Sequence, residues 1–141
     1  YEIEPFVRHG KEPEIINTDN FEETITKSLK IIGDVLENGF KTIAVICRTQ
    51  KDADMVSDSL SKHIELQNIN ADSESNFING VMVMPIQMSK GLEFDAVILW
   101  DADNENYLVC DSDIKLLYVA ITRALHELYV LYTEKISELL I

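Results

Sequence analysis

Ser89 to Val97, SKGLEFDAV, and Leu116 to Ala124, LLYVAITRA, are the stretches on which the reading of this chain turns. The first leads into Ala96 to Trp100, a continuous apolar run with β-branched residues that reads as a strand covered on both faces. The second belongs to a helix predicted over Asp113 to Leu125, apolar nearly all round from Leu116 to Ile121 and therefore buried. With Ile114, Leu117, Tyr118 and Ile121 as its core stripe, Arg123 points to the other side, above the small Ala120. A guanidinium near the end of a buried helix calls for an anion, because an unpaired buried charge is costly. Glu127 at i+4 is one candidate, worth only about 0.3–0.5 kcal/mol on a helix surface. A phosphate supplied from outside, which arginine grips with two parallel hydrogen bonds, is the other.

The flanking sequence supplies an α/β pattern. Phe21, Ile25, Leu29, Ile32 and Leu36 recur at helical spacing, with Asp19 and Glu22 as a capping pair and Asn38-Gly39 as the stop. Ile43 to Cys47 is a second doubly covered strand, followed by a helix with Ala53, Val56, Leu60 and Ile64 on one stripe. Val81 to Ile86 and Leu128 to Tyr132 read as further strands, Phe6 to Arg8 and Glu14 to Asn17 as short ones, and Ile136 to Leu140 as a helical turn. The polar stretch from Gln67 to Asn79 reads as a connection, with a short strand near Glu65 to Ile69. Strands alternating with amphipathic helices predict a mostly parallel sheet with helices on both faces. Ligands of such sheets gather beyond the carboxyl ends of the strands, where Arg48 and the loop after Ile86 fall.

Composition narrows the function classes. A chain of 141 residues fits one domain, long enough to bury roughly two-thirds of its unfolded surface. Its apolar runs are far shorter than the roughly 20 residues that span a bilayer, so the expectation is a cytoplasmic protein with no membrane contact. Cys47 and Cys110 have no CxxC spacing and are expected to stay reduced. Tyr1 in place of Met leads us to expect a domain cut from a longer chain. Twenty-five acids against twelve bases give a net charge of −13, spread over both halves, which predicts weak nucleic-acid binding by this chain alone and suits basic protein partners.

No GxxxxGK[ST] loop is present to cradle a nucleotide's phosphates. Ala96 to Asp101, AVILWD, mimics the magnesium-binding strand of a phosphate-loop ATPase, but without the loop that reading fails. Asp101, Asp103 and Glu105 suggest a calcium loop, yet Asn106 stands where the turn needs Gly and Ser112 where a bidentate Glu belongs. His9, His63 and His126 show no ligand spacing, so no metal site is expected.

SKGLEFDAV followed by LLYVAITRA resembles the fifth and sixth motifs of the UvrD/Rep class of superfamily 1 helicases, and Arg48 in VICRT is similar to the fourth-motif arginine. The resemblance covers the chain from Ile43 to its end. It implies a second RecA-like domain, a P-loop NTPase-like fold without its own P-loop, whose ATP and Mg2+ are held mainly by a first RecA-like domain. By position, Arg123 and Arg48 are the implied catalytic arginines at the γ-phosphate, Arg123 being the arginine finger. Gly91 and Glu93 approach the nucleotide, Glu93 at its ribose, and Gln87, Ser89 and Lys90 are the implied nucleic-acid contacts. The isolated chain is expected to turn over no ATP. Pro85-Ile86-Gln87 replaces the Thr-x-His that contacts single-stranded DNA, and Cys47 replaces an adenine-stacking aromatic. Only residues from about Ser61 to Asn79 stand where relatives insert an accessory domain. These departures, the acidity and the opening PFVRHGKEP resemble the HelD subgroup, which acts on bacterial RNA polymerase. The alternatives are a UvrD/Rep-type DNA repair helicase, or a non-catalytic acidic α/β module that docks a protein and keeps Arg123 in a structural ion pair.

Overall fold

A computed structural model describes residues 12–67, 79–101 and 111–133. In chain order these form β1 (Glu14–Thr18), α1 (Phe21–Glu37), β2 (Thr42–Cys47), α2 (Gln50–Leu60), β3 (Gly80–Pro85), a 3-10 turn (Ile86–Ser89), β4 (Phe94–Leu99), α3 (Asp111–Ile121) and β5 (Ala124–Thr133). The strands make one sheet in the order β1-β5-β4-β2-β3, and every pairing is parallel. The predicted class is therefore the observed one.

Side-chain alternation divides the apolar strands between two cores. Ile43, Val45 and Cys47 of β2, with Ala96 and Ile98 of β4, pack under α1 and α2. Ala44 and Ile46, with Val97 and Leu99, pack under α3 together with Leu117, Ala120 and Ile121. Helices on both faces thus account for the unbroken apolar runs of β2 and β4.

Helix α1 differs in detail from its sequence reading. Asn20, not Asp19, is the cap: its side chain accepts the Glu23 amide at 2.8 Å. The face against the sheet carries Thr24, Ile25, Ser28, Ile31, Ile32 and Val35, whereas Phe21 and Leu36 are 37% and 44% exposed. Thr24 and Ser28 let the helix approach closely, and the hydroxyls of Thr24 and Thr18 meet at 2.6 Å. The stop is as expected, with Asn38 as C-cap and Gly39 at φ 91°. In α2, Ala53, Val56 and Leu60 are buried as predicted, while Ile64 lies beyond the helix end.

Of the strand expected near Glu65 to Ile69, Leu66 makes one parallel bridge to Val81, and Gln67 donates its amide to the Val81 carbonyl at 2.8 Å. Gly80 makes room for this: its φ is 126°, and a Cβ there would lie 2.8 Å from Gln67 Cγ.

Helix α3 ends four residues earlier than predicted. Thr122 and Arg123 form a turn, and Ala124 and Leu125 already belong to β5, which is longer than the expected Leu128 to Tyr132. The core stripe also shifts: Ala120 faces the sheet, and Tyr118 is 58% exposed rather than buried. The short strand at Phe6 to Arg8, the helical turn at Ile136 to Leu140, the acidic loop residues Asp103, Glu105 and Asn106, and Cys110 lie outside the described residues.

Replacing the true cap should cost stability and replacing its neighbour should not. Asn20→Ala is expected to lower the unfolding free energy of the 141-residue chain by about 1 kcal/mol, and Asp19→Ala by less than about 0.5 kcal/mol, in urea titrations.

Candidate functional site

Residues 86–93 carry the chain from the carboxyl end of β3 to the amino end of β4 and cross β2 on the α3 face. Ile86 and Ser89 are fully buried along this crossover, and Leu92 packs on the α3 core. The Ser89 hydroxyl donates to the Ile86 carbonyl at 2.6 Å, which leaves it facing inward rather than available to a nucleic acid as expected. Gln87, Lys90, Gly91 and Glu93 are exposed. Gly91 adopts φ 80°, and a Cβ there would meet nothing within 4 Å, so the backbone here turns tightly and stays open on its outer side.

Arg123 sits against this crossover. Phe94 donates its amide to the Arg123 carbonyl at 2.8 Å, which sets Glu93 and Arg123 side by side at the amino ends of β4 and β5. The guanidinium is half-buried: Nη1 lies 3.5 Å from the Ser89 carbonyl, Nη2 donates to the Thr122 hydroxyl at 3.2 Å, and Nε is buried without a partner among the described residues. Among the described residues no carboxylate neutralises it. Glu127, the internal partner weighed from the sequence, lies in β5 rather than one helical turn on, and accepts instead from the Tyr129 hydroxyl.

A second carboxylate, which spacing alone gave no reason to single out, secures the start of β4. Asp95 Oδ2 accepts the amides of Lys41 at 2.8 Å and Thr42 at 3.2 Å, and its own amide donates to the Thr42 hydroxyl at 2.9 Å. His126 Nε2 lies 3.9 Å from Asp95 Oδ1, with its ring stacked on Phe40. These bonds lock the start of β4 to that of β2, one residue beyond Phe94. Aspartate in a buried-strand motif was the only signal for it.

Arg48 belongs elsewhere. It follows β2 and donates to Asp113 Oδ1 at 2.8 Å, a carboxylate only 4% exposed near the start of α3. Ile43 pairs with Ala96, and Phe94 with Ala124, so Arg48 and Arg123 stand about eight residue steps apart along the strands, roughly 26 Å. That is too far for both to touch one phosphate group, and the expected convergence of the two arginines does not occur within this domain. Gln87, just past β3, lies at the Arg48 edge, while Gly91, Glu93 and Arg123 gather at the opposite one. The carboxyl edge therefore does not hold all of the chemistry, because the crossover returns half of it to the amino edge.

Cys47 is fully buried, and burial first, then the charges of Asp52 and Asp101, push its thiol well above the ordinary range. It is an apolar strand residue that offers a base no surface to stack on. The described residues hold no group of three His, Cys, Asp or Glu side chains suited to a metal ion, and no helix among them is long and apolar enough to cross a membrane.

The chain is similar to known proteins in sequence and fold. Residues 80–131 fit the UvrD-like helicase C-terminal domain, a span that takes in β3, the crossover, β4, α3 and most of β5. The crystal structure of the C-terminal domain of a possible DNA helicase from Lactobacillus plantarum WCFS1 superposes with a TM-score of 0.80 at 31% identity, over 92% of this chain and 79% of that one. No curated protein matches. The chain belongs to the UvrD-like helicase C-terminal domains. In the full-length protein such a domain is the second half of an ATP-dependent superfamily 1 motor, and its RecA-like fold is the one observed here.

The buried thiol has a consequence in alkali. Its folded pKa is raised, so above the free-thiol value of about 8.5 the unfolded chain loses this proton while the folded chain keeps it, and stability falls as pH rises. Between pH 8 and 9.5 the native chain should lose about 1 kcal/mol relative to Cys47→Ala, measured as the difference between their urea unfolding free energies.

Proposed function

We propose that this chain completes an interdomain ATP site with Arg123 as arginine finger, in a motor that acts in the manner of HelD on bacterial RNA polymerase. The observation that carries the finger is the state of its guanidinium: half-buried, held by a carbonyl and a hydroxyl, with Nε unpartnered among the described residues. Neutral acceptors orient such a group without cancelling its charge, which stays available to an anion. In ATP hydrolysis the water oxygen bonds to the γ-phosphorus as the β–γ bridging oxygen departs with ADP. Negative charge spreads over the equatorial oxygens in between, and a well-placed arginine there is worth about 10³–10⁵ in rate.

Gly91 and Glu93 lie beside Arg123 and take the nucleotide side of the site in this reading, Glu93 at the ribose. Mg2+ ligands fall to the first RecA-like domain. Arg48 holds α3 through Asp113 and takes no part at the γ-phosphate. Gln87, at the other edge, and Lys90 are exposed and take the nucleic-acid contacts in this reading. The net charge of −13, with Pro85-Ile86-Gln87 in place of a DNA-contacting Thr-x-His, supports a protein complex as the track.

In the full-length protein, Arg123→Ala should lower kcat for ATP by at least about 10³ with a much smaller change in KM, as read in steady-state turnover. A variant with unchanged kcat would remove the finger. Affinity purification of the full-length protein should recover RNA polymerase subunits; recovery of DNA repair factors instead would place it with the UvrD/Rep repair helicases.

A further inference from the structure

We infer that Thr122 is a positioning residue for Arg123, an inference that rests on the reading of Arg123 as the finger. Thr122 lies in the two-residue turn between α3 and β5. Its hydroxyl is 2.8 Å from the Tyr118 carbonyl and 3.1 Å from the Val119 carbonyl, both in the last turn of α3, and it accepts from Arg123 Nη2 at 3.2 Å. A hydroxyl has one hydrogen and two lone pairs. With the hydrogen committed to the helix end, a lone pair must face away from those carbonyls, and the guanidinium occupies that position. The helix terminus thereby sets the orientation of the hydroxyl, and the hydroxyl sets that of Nη2.

On its other flank the guanidinium meets the Ser89 carbonyl, which accepts the Leu92 amide at 3.0 Å, while the Ser89 hydroxyl ties the residue to the Ile86 carbonyl. At 3.5 Å that contact is at the limit of a hydrogen bond and leaves Thr122 as the closer support. An arginine already held in its working direction needs no reordering when charge develops on the phosphate, and this is where positioning contributes to rate. Valine at 122 keeps the branched shape and removes the hydroxyl; serine keeps the hydroxyl and removes the methyl.

Steady-state and single-turnover ATP hydrolysis by the full-length protein test this. Thr122→Val should lower kcat by about 10- to 100-fold while KM for ATP changes less than about 2-fold, and Thr122→Ser should restore most of the rate. In an Arg123→Ala background, Thr122→Val should cost nothing further, since the group it positions is gone. Urea unfolding of the 141-residue variants checks that each is folded, and Thr122→Ala takes the place of the valine variant if that one is not. Thr122→Val turning over like the native protein, while Arg123→Ala is inactive, would overturn the role of Thr122 and leave the finger standing. A loss that persists in the Arg123→Ala background would mark Thr122 as structural and equally overturn it. Full activity of Arg123→Ala would overturn the finger and this inference together.

Discussion

The short return from β3 to β4 constrains everything at the site. Parallel strands of one sheet are usually joined by a dozen or more residues and a helix. Here residues 86–93 must descend from the level of Cys47 to that of Lys41, about 20 Å along the strands, while also crossing β2. A segment with so little slack lies flat on the sheet. It is buried at Ile86 and Ser89, α3 packs against it there, and the positive φ of Gly91 turns it into β4. The Ser89 carbonyl beside Arg123 and the open backbone at Gly91 are products of this path rather than separate features.

The same path gives the domain two working edges. Helix α3 runs back from the Arg48 edge, where Asp113 is anchored, to the Arg123 edge, where it hands the chain to β5. One arginine therefore spends its charge on a buried carboxylate and fixes the helix, and the other keeps its charge. Two cations that look alike in sequence, each adjoining an apolar strand, differ because, among the described residues, only one of them has a carboxylate beside it.

Much of the fold was legible because burial writes itself into composition: β2 and β4 as unbroken apolar runs, α1 and α2 as periodic ones. What escaped detection has physical causes. The face of α1 against the sheet includes Thr24 and Ser28, since close approach needs small residues, and a hydrophobic pattern favoured Phe21 and Leu36 instead. The apolar run through Ile121, Ala124 and Leu125 has no periodicity that separates helix from strand, so the turn at Thr122 and Arg123 was invisible. Arg123, Gly91 and Glu93 were recognisable from their motifs, but their distance from Arg48 depends on strand register, which no local spacing encodes. Asp95 resembled a surface residue between Phe94 and Ala96, because its partners, Lys41 and Thr42, are remote in sequence.

The backbone bridge at Leu66 has a bearing on how this domain behaves in company. A β-strand at the rim of a sheet is a template on which another chain can grow. On β3 that template is interrupted: the Val81 carbonyl is already taken by Gln67, and the bare Cα of Gly80 lets the Gln67 side chain lie across the rim. A strand from a second molecule could not add there in continuous register without displacing this segment. A glycine with no chemical part in the proposed motor thus interrupts the strand edge on which a second copy would have to pair.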